Sequence, residues 1–453
     1  MSKIKTIFKC SFCNYTSFKW LGCCPTCNEW NCFLEENVGD NFSAQEKFIR
    51  SGKTKPAKLK FLDQIENSQL NRINSGIAEW DRTLGGGILP GSFIILTGDP
   101  GIGKSTLLLQ VASKIAINHK VLYFSSEESL QQLKNRAERL KIESNPNLLF
   151  SEQSDLESIL STGQEIKPDL LILDSIQNCH ISSQNSIIPG SISSIKEVGF
   201  HLMKLAKDNN IAICITGHIT KEGYIAGPKI LEHIVDGVFY LQGEDRWNTR
   251  ILRSVKNRFG TINEAGFFDM QENGLYEISN INQHLLQDNS YAPGSTLITS
   301  IEGSRPLILE LQALCITSKF GIPQRVITGL DPKRVVLIAA ILEKYLHIKF
   351  SSQDIFFKLS GNFKIKDSSS DLGIALALLS SYFQKPLPIK SVAIGEISLT
   401  GQIKATNQIN IRIQEAEKFG LEKIFISKNQ QTQNSKNIVK FGSVYELLNL
   451  FPE

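Results

Sequence analysis

Hydrophobic positions come in short blocks from about residue 65 to 276. FIILTG (93–98), VLYFSS (121–126), LLILDS (170–175), IAICITG (211–217) and VFYLQ (238–242) are apolar runs of strand length. Amphipathic stretches such as LESILSTGQEI (156–166) and VGFHLMKLAKDN (198–209) separate them with helical spacing. This alternation predicts βαβ units and a mostly parallel sheet. Two alternating segments follow, RILRSVKNRFG (250–260) and AGFFDMQENGLYEI (265–278). The Asn273-Gly274 pair in the second suits a tight hairpin, so these segments are expected to close the sheet with an antiparallel edge.

From about residue 290 the pattern restarts. Strands are expected at STLITSIEG (295–303) and LILELQAL (307–314), and helices at PKRVVLIAAILEKYL (332–346) and SDLGIALALLSSYF (370–383). The economical reading is a second α/β domain over 290–453, after a core at 65–278. Residues 1–34 follow neither pattern and are rich in cysteine and aromatics. Residues 35–64 are polar and basic, with Lys47, Arg50, Lys53, Lys55, Lys58 and Lys60, and read as a linker.

A chain of 453 residues is long enough for two or three domains, each with its own core. With 41% hydrophobic and 21% charged residues, the composition is that of a soluble globular protein. A net charge of +4 neither demands nor excludes nucleic acid. There is no apolar run of about 18 residues and no apolar core of a signal peptide at the N-terminus, so a cytoplasmic protein without membrane contact is expected.

Six of the nine cysteines fall within the first 32 residues, which in a reducing compartment argues for metal over disulfides. Cys10, Cys13, Cys24 and Cys27 form two C-x2-C pairs with ten residues between them, a spacing that places four thiolates at the corners of a tetrahedron. Zn²⁺ fits that set, and four thiolates leave no open position for a reacting water, so the expected zinc is structural. Cys23 and Cys32 compete as ligands. Trp20, Trp30 and Lys19 beside the module suit either a surface for DNA or protein, or a small core for the module itself.

Gly98-Asp99-Pro100-Gly101-Ile102-Gly103-Lys104-Ser105 matches G-x-x-x-x-G-K-[ST], with a strand before it and a helix after it, as a P-loop requires. Its backbone amides would cradle the phosphates of ATP, Lys104 would neutralise the β and γ phosphates, and Ser105 would ligate Mg²⁺. Asp174 ends the strand LLILD, the place of a second magnesium-binding group. Glu127 and Glu128 follow the strand VLYFS, where a carboxylate could activate the attacking water; the residues alone leave the choice between them open.

Taken together, these stretches resemble the RadA (Sms) family of bacterial DNA repair proteins, relatives of the RecA recombinase and of replicative DnaB-type helicases. The likeness covers essentially the whole chain: the four-Cys module with WLGCCPTCNEW, GIAEWDRTLGGGILPGS leading into GDPGIGKST, SSEES, IPGSISSIKE, TGHITKEGYIAGPKILEHIVD, and the family's signature Lys256-Asn257-Arg258-Phe259-Gly260. The resemblance implies a RecA-type ATPase core with Glu127 as catalytic glutamate and His218 as γ-phosphate sensor. It implies that segments 179–195 and 219–230 face DNA. Lys256 and Arg258 are expected to reach a neighbouring subunit's nucleotide or couple it to DNA, within a hexameric ring. The implied activity is that of a DNA-dependent ATPase of helicase type. It would process single-stranded and branched DNA and promote branch migration with the RecA recombinase during DNA damage repair.

Residues 290–453 are similar to the proteolytic domain of the Lon protease, which raises ATP-dependent proteolysis as a rival. A Lon-type site needs a serine nucleophile and a lysine to take its proton. Alignment of DSSSDLG places Ser369 at the nucleophile, but GEISLTGQIKATNQINIR places Asn410 where the lysine belongs, with Lys404 six residues too early. An amide cannot accept the serine proton, so this domain reads as a ring-building, DNA-binding platform. A further alternative is a regulatory RecA-type ATPase without DNA motor activity, separable by DNA-stimulated hydrolysis and salt-dependent DNA binding.

Overall fold

The computed structural model describes residues 5–10, 16, 17, 19, 20, 22, 23, 25, 33–38, 61, 71–182, 190–218, 231–244, 247–262, 264–286, 291–319, 321–360, 363–365, 367–432 and 436–452. They fall into two compact units, Met1–Gln69 and Leu70–Glu453. In the first, β1 (Lys5–Cys10) lies between β2 (Thr16–Ser17) and β3 (Phe33–Val38), antiparallel to both. Cys10 is the last residue of β1, while Cys13, Cys24 and Cys27, the rest of the expected zinc set, lie outside the described residues.

The second unit opens with α1 (Ala78–Thr83), β4 (Phe93–Gly98), α2 (Lys104–Ile115), β5 (Val121–Ser125), α3 (Leu130–Arg139), β6 (Leu148–Ser151), α4 (Leu156–Ile166) and β7 (Leu170–Asp174). It continues through α5 (Ile192–Asn209), β8 (Ala212–His218), β9 (Gly237–Glu244), β10 (Trp247–Asn257), β11 (Ala265–Gln271) and β12 (Gly274–Glu277). These strands form a nine-stranded sheet in the order β12-β11-β10-β9-β4-β8-β7-β5-β6. The six strands from β9 to β6 are parallel, and β10, β11 and β12 add an antiparallel edge.

The central strands are apolar throughout because both faces are covered, as parallel sheets require. Ile94, Leu96, Tyr123, Ile172 and Cys214 share a core with Leu108, Val111 and Ala112 of α2. On the other face Phe93, Ile95, Leu171, Leu173, Ile213 and Ile215 pack with Val198, Leu202 and Leu205 of α5. Capping fixes the helix starts: Ser129 and Gln132 form a capping box on α3, and Asp155 and Ser191 cap α4 and α5.

After α6 (Ile281–Leu286) come β13 (Ser295–Glu302), β14 (Arg305–Thr317), β15 (Arg325–Thr328), α7 (Pro332–Leu346), β16 (Gln353–Leu359), α8 (Asp371–Phe383), β17 (Ser391–Ile394), β18 (Glu396–Ile397), β19 (Ile403–Lys404), α9 (Ile409–Lys418), β20 (Lys423–Ser427) and β21 (Ile438–Phe441). Seven of these strands make a mixed sheet ordered β15-β16-β14-β13-β17-β20-β21. Helix α8 is apolar on all sides because it runs through the core, and it approaches β13 so closely that a Cβ on Gly373 would sit 2.1 Å from the Ile298 side chain.

The two sheets share one core. Ile251, Ala265 and Phe267 of the nine-stranded sheet pack in the same cluster as Leu307, Leu309, Phe363 and Leu372. At its margin the buried Glu79 carboxylate accepts bonds from Arg305 Nη1 at 2.8 Å and from the Phe267 amide at 3.0 Å, and the Arg305 guanidinium lies 5.2 Å from the Phe267 ring centroid. Arg253 pairs with Glu302 across the same junction.

Candidate nucleotide site

Register brings the chemistry-bearing positions to one edge of the nine-stranded sheet. Gly98, at the end of β4, pairs with His218 at the end of β8, and Ser125 at the end of β5 pairs with Asp174 at the end of β7. These are the carboxyl ends of parallel strands, the side on which open α/β sheets hold their ligands.

The loop 98–105 leaves β4 and enters α2. Glycine is required at two of its positions for different reasons. A Cβ on Gly98 would lie 2.2 Å from the Leu241 carbonyl oxygen, and Gly103 caps α2 in the left-handed region at φ 110°. Asp99, Pro100, Gly101 and Ile102 form the arch between them. Arg250 of β10 braces that arch, its Nε donating to the Ile102 carbonyl at 3.2 Å. Lys104 Nζ is buried inside it, donating to the carbonyls of Gly98 at 2.9 Å and Asp99 at 3.0 Å. Burial lowers the Lys104 pKa from its ordinary value, against the opposing pull of Asp174, Glu127 and Asp99 in that order. Asp174 and Glu127 are therefore close enough to act on Lys104 electrostatically. Ser105, half-buried, begins α2 beside Lys104.

Asp174 is buried, and both its oxygens are engaged. Tyr123 of β5 donates to Oδ2 at 2.8 Å, and Thr216 of β8 donates to Oδ1 at 2.6 Å. Burial, and then the adjacent Asp174, push the Tyr123 hydroxyl well above its ordinary pKa, so it remains a donor. The carboxylate of Asp174 and the hydroxyl of Ser105, at the start of α2, would offer Mg²⁺ the oxygen donors it prefers.

The two glutamates have different partners. Glu127, exposed, accepts a hydrogen bond from Ser175, the residue after Asp174. Glu128 instead pairs with Arg136 of α3. Ser126 and Ser175 exchange bonds at 2.7 and 2.9 Å, tying the two strand ends together. Sequence reasoning missed Tyr123, Thr216, Ser175 and Arg250; the only signal for them was a polar residue at the end of, or inside, an apolar run.

The pentapeptide 256–260 lies elsewhere. Asn257 pairs with Gly237, which pairs with Ile94, four residues before Gly98 along β4. At a strand rise of about 3.3 Å per residue, the motif sits roughly 13 Å down the sheet, at the edge opposite the loop 98–105. Lys256 Nζ is tied to its own chain: it donates to the carbonyls of Glu232 and, at 2.9 Å, of Val235. Burial, then Arg258, lower its pKa. Arg258 is exposed and only loosely held, its Nη1 lying 3.4 Å from Asp236 Oδ1. Asn257 and Phe259 are structural in their contacts: Asn257 Nδ2 donates to the Leu84 carbonyl at 3.2 Å, and Arg72 donates to the Phe259 carbonyl. Gly260 packs against Gly85, where a Cβ would come within 3.0 Å of the Gly85 Cα. The segments expected to face DNA include 183–189 and 219–230, which lie outside the described residues.

In the second sheet Ser369 is buried and accepts a hydrogen bond from Arg412 Nη1 at 2.8 Å. Arg412, itself buried, also donates to the Thr299 carbonyl at 2.9 Å and to Asp367. Burial works against the Asp367 charge, but the Ser369 amide and Arg412 still hold its pKa below the ordinary carboxylate value. Asn410, the residue that alignment sets opposite the Lon lysine, is exposed on α9, so the group beside Ser369 is Arg412. A guanidinium stays protonated and cannot take the serine proton.

Residues 56–224 match the family described as AAA domain, and residues 318–430 match the family described as subunit ChlI of Mg-chelatase. The DNA repair protein RadA of Listeria monocytogenes is 44% identical over 435 residues, 95% of this chain and 94% of that protein. The DNA repair protein RadA of Bacillus subtilis is 42% identical over 431 residues, 94% of this chain and 93% of that protein. Among solved structures, the RadB recombinase aligns with 46% of this chain and 100% of its own at 20% identity and a TM-score of 0.37. A KaiC-like protein from Pyrococcus horikoshii aligns with 46% of this chain and 99% of its own at 20% identity and a TM-score of 0.38.

Proposed function

The chain belongs to the DNA repair protein RadA family and is a DNA repair ATPase, and from that premise we propose that it is an ATP-driven motor that remodels branched recombination intermediates together with the RecA recombinase. The observation that carries the motor reading is the position of Arg258. It is an exposed cation at the sheet edge opposite its own P-loop, too far to serve the nucleotide it is nearest to in sequence. A cation so placed becomes useful to hydrolysis when a second subunit brings its own loop 98–105 alongside, and hydrolysis then depends on assembly.

In this reading Lys104 binds the β and γ phosphates, and Ser105 and Asp174 hold the magnesium ion with its waters. Magnesium, when bound, offsets phosphate charge and fixes the geometry of the phosphate chain. Glu127 takes the proton of the attacking water, and its bond to Ser175 aims it from the end of β5. His218 senses the γ phosphate from the end of β8. Arg258 acts in trans within a hexameric ring. The sequence pairs Lys256 with Arg258 in that role, but the bonds of Lys256 to Glu232 and Val235 favour support of the motif within its own chain. The four-cysteine module carries a structural zinc, and the protein works in the cytoplasm; among the described residues no helix is long and apolar enough to cross a membrane.

DNA-stimulated ATP hydrolysis, measured with single-stranded and branched DNA over a salt series, tests the proposal. Stimulation with a steep salt dependence supports a motor. Hydrolysis indifferent to DNA, with no DNA binding at low salt, would leave a regulatory ATPase. The Arg412 environment of Ser369 disfavours the proteolytic alternative.

A further inference from the structure

The buried carboxylate Asp174 is held from both sides by residues that no motif picked out. Strand β7 runs between β5 and β8, and Ile172 is in register with Tyr123 on one side and with Cys214 on the other. Because side chains alternate along a strand, Tyr123, Ile172, Asp174, Cys214 and Thr216 all face α2, which carries Lys104 and Ser105. Thr216 lies level with Asp174, and a short hydroxyl reaches it at 2.6 Å. Tyr123 lies one pleat lower, and from there only a side chain as long as tyrosine reaches the other oxygen, at 2.8 Å.

We infer that Tyr123 and Thr216 are positioning residues for magnesium: each grips one oxygen of Asp174 and thereby fixes where its remaining lone pairs meet the water shell of the metal. The inference rests on the reading of Asp174 as the magnesium-side carboxylate. Two neutral donors suit this task. They orient the carboxylate without supplying a positive charge that would compete with the cation, as outer partners of metal ligands commonly do.

The test uses the full-length chain and two readouts: the Mg²⁺ dependence of ATP hydrolysis, and Mn²⁺ binding in the presence of a nonhydrolysable ATP analogue, followed by loss of the free Mn²⁺ resonance signal. Tyr123→Phe keeps the ring and its contact with Phe150, and Thr216→Val keeps the shape. Each should raise the half-saturating metal concentration roughly tenfold, while hydrolysis at saturating metal stays near the wild-type rate. Thr216→Ser, which restores a hydroxyl, should return the metal dependence toward wild type. A hydroxyl that served only packing would lower the melting temperature and leave both metal curves where they were. Unshifted curves in Tyr123→Phe and Thr216→Val, alongside a shifted curve in Asp174→Asn, would overturn the inference and spare the reading of Asp174. An unshifted curve in Asp174→Asn would overturn both. Should Tyr123→Phe fail to fold, the Thr216→Val and Thr216→Ser pair decides by the same criteria.

Discussion

Glu127 shares a hydrogen bond with Ser175, the residue that follows the buried Asp174, and this bond links the end of β5 to the end of β7. Its neighbour Glu128 faces the other way in bonding terms, paired with Arg136 of α3. Two adjacent carboxylates are thus separated by their partners. Glu127→Gln should bind ATP yet turn it over at least about tenfold more slowly. Glu128→Gln should keep its turnover and lose only the modest worth of a partly exposed pair, about 0–1 kcal/mol. Steady-state hydrolysis and nucleotide binding on both variants decide the matter; the opposite pattern would move the assignment by one residue.

Arg258→Ala should fold and bind ATP but hydrolyse it poorly. Lys104→Ala should lose hydrolysis while keeping its own Arg258 intact. Mixed rings of the two should recover activity above the sum of the separate preparations, since each chain supplies what the other lacks. Confirmed mixed assemblies without recovery would leave Arg258 a role in DNA contact. Lys256→Ala should instead weaken the turn that ends at Asp236, visible as faster amide exchange at Val235 and Asp236 within isolated subunits.

Purified protein should contain one zinc per chain. Cys24→Ser or Cys27→Ser should lose it and leave the ATPase unit folded, as followed by metal analysis and by thermal melting with nucleotide. A zinc content near zero in carefully prepared protein would remove the module.

Ser369→Ala should leave ATP hydrolysis unchanged, and neither it nor the wild type should degrade casein. Arg412→Ala is a different matter. It strips a buried guanidinium from Ser369, Thr299 and Asp367 and leaves the Asp367 carboxylate without its partner, which should cost about 3–5 kcal/mol in denaturant unfolding.

The strands and helices of the ATPase core were largely legible, because parallel strands covered on both faces are written as consecutive apolar residues. FIILTG, VLYFS and LLILD became β4, β5 and β7, and the expected hairpin formed between β11 and β12, though its turn is Glu272-Asn273, one residue earlier than the Asn273-Gly274 pair suggests, with Gly274 opening β12. The loop 98–105 was legible for the same reason: its chemistry is contiguous. What escaped was lateral. Tyr123, Thr216 and Arg250 act on a neighbouring strand or loop, and a sequence read alone does not say that β7 lies between β5 and β8 or that β10 turns back beside β9. The Asn410 alignment failed through helical phase. Two positions along α9 rotate the side chain by about 200°, so the buried partner of Ser369 is Arg412 while Asn410 points to solvent. Lys256 likewise looked equivalent to Arg258 until the carbonyls of Glu232 and Val235 claimed it.

Among the described residues, the core shared between the two sheets joins them into one compact unit from Leu70 onward. Phe267 and Ile251 are packed among residues of the second sheet, and the buried Glu79–Arg305 pair bolts the margin. Displacement generated by ATP turnover therefore has no internal hinge to absorb it at this junction. In the proposed ring such displacement would be handed outward, as a tilt of one subunit against the next, with the second sheet carried along as a stiff arm whose far end travels furthest.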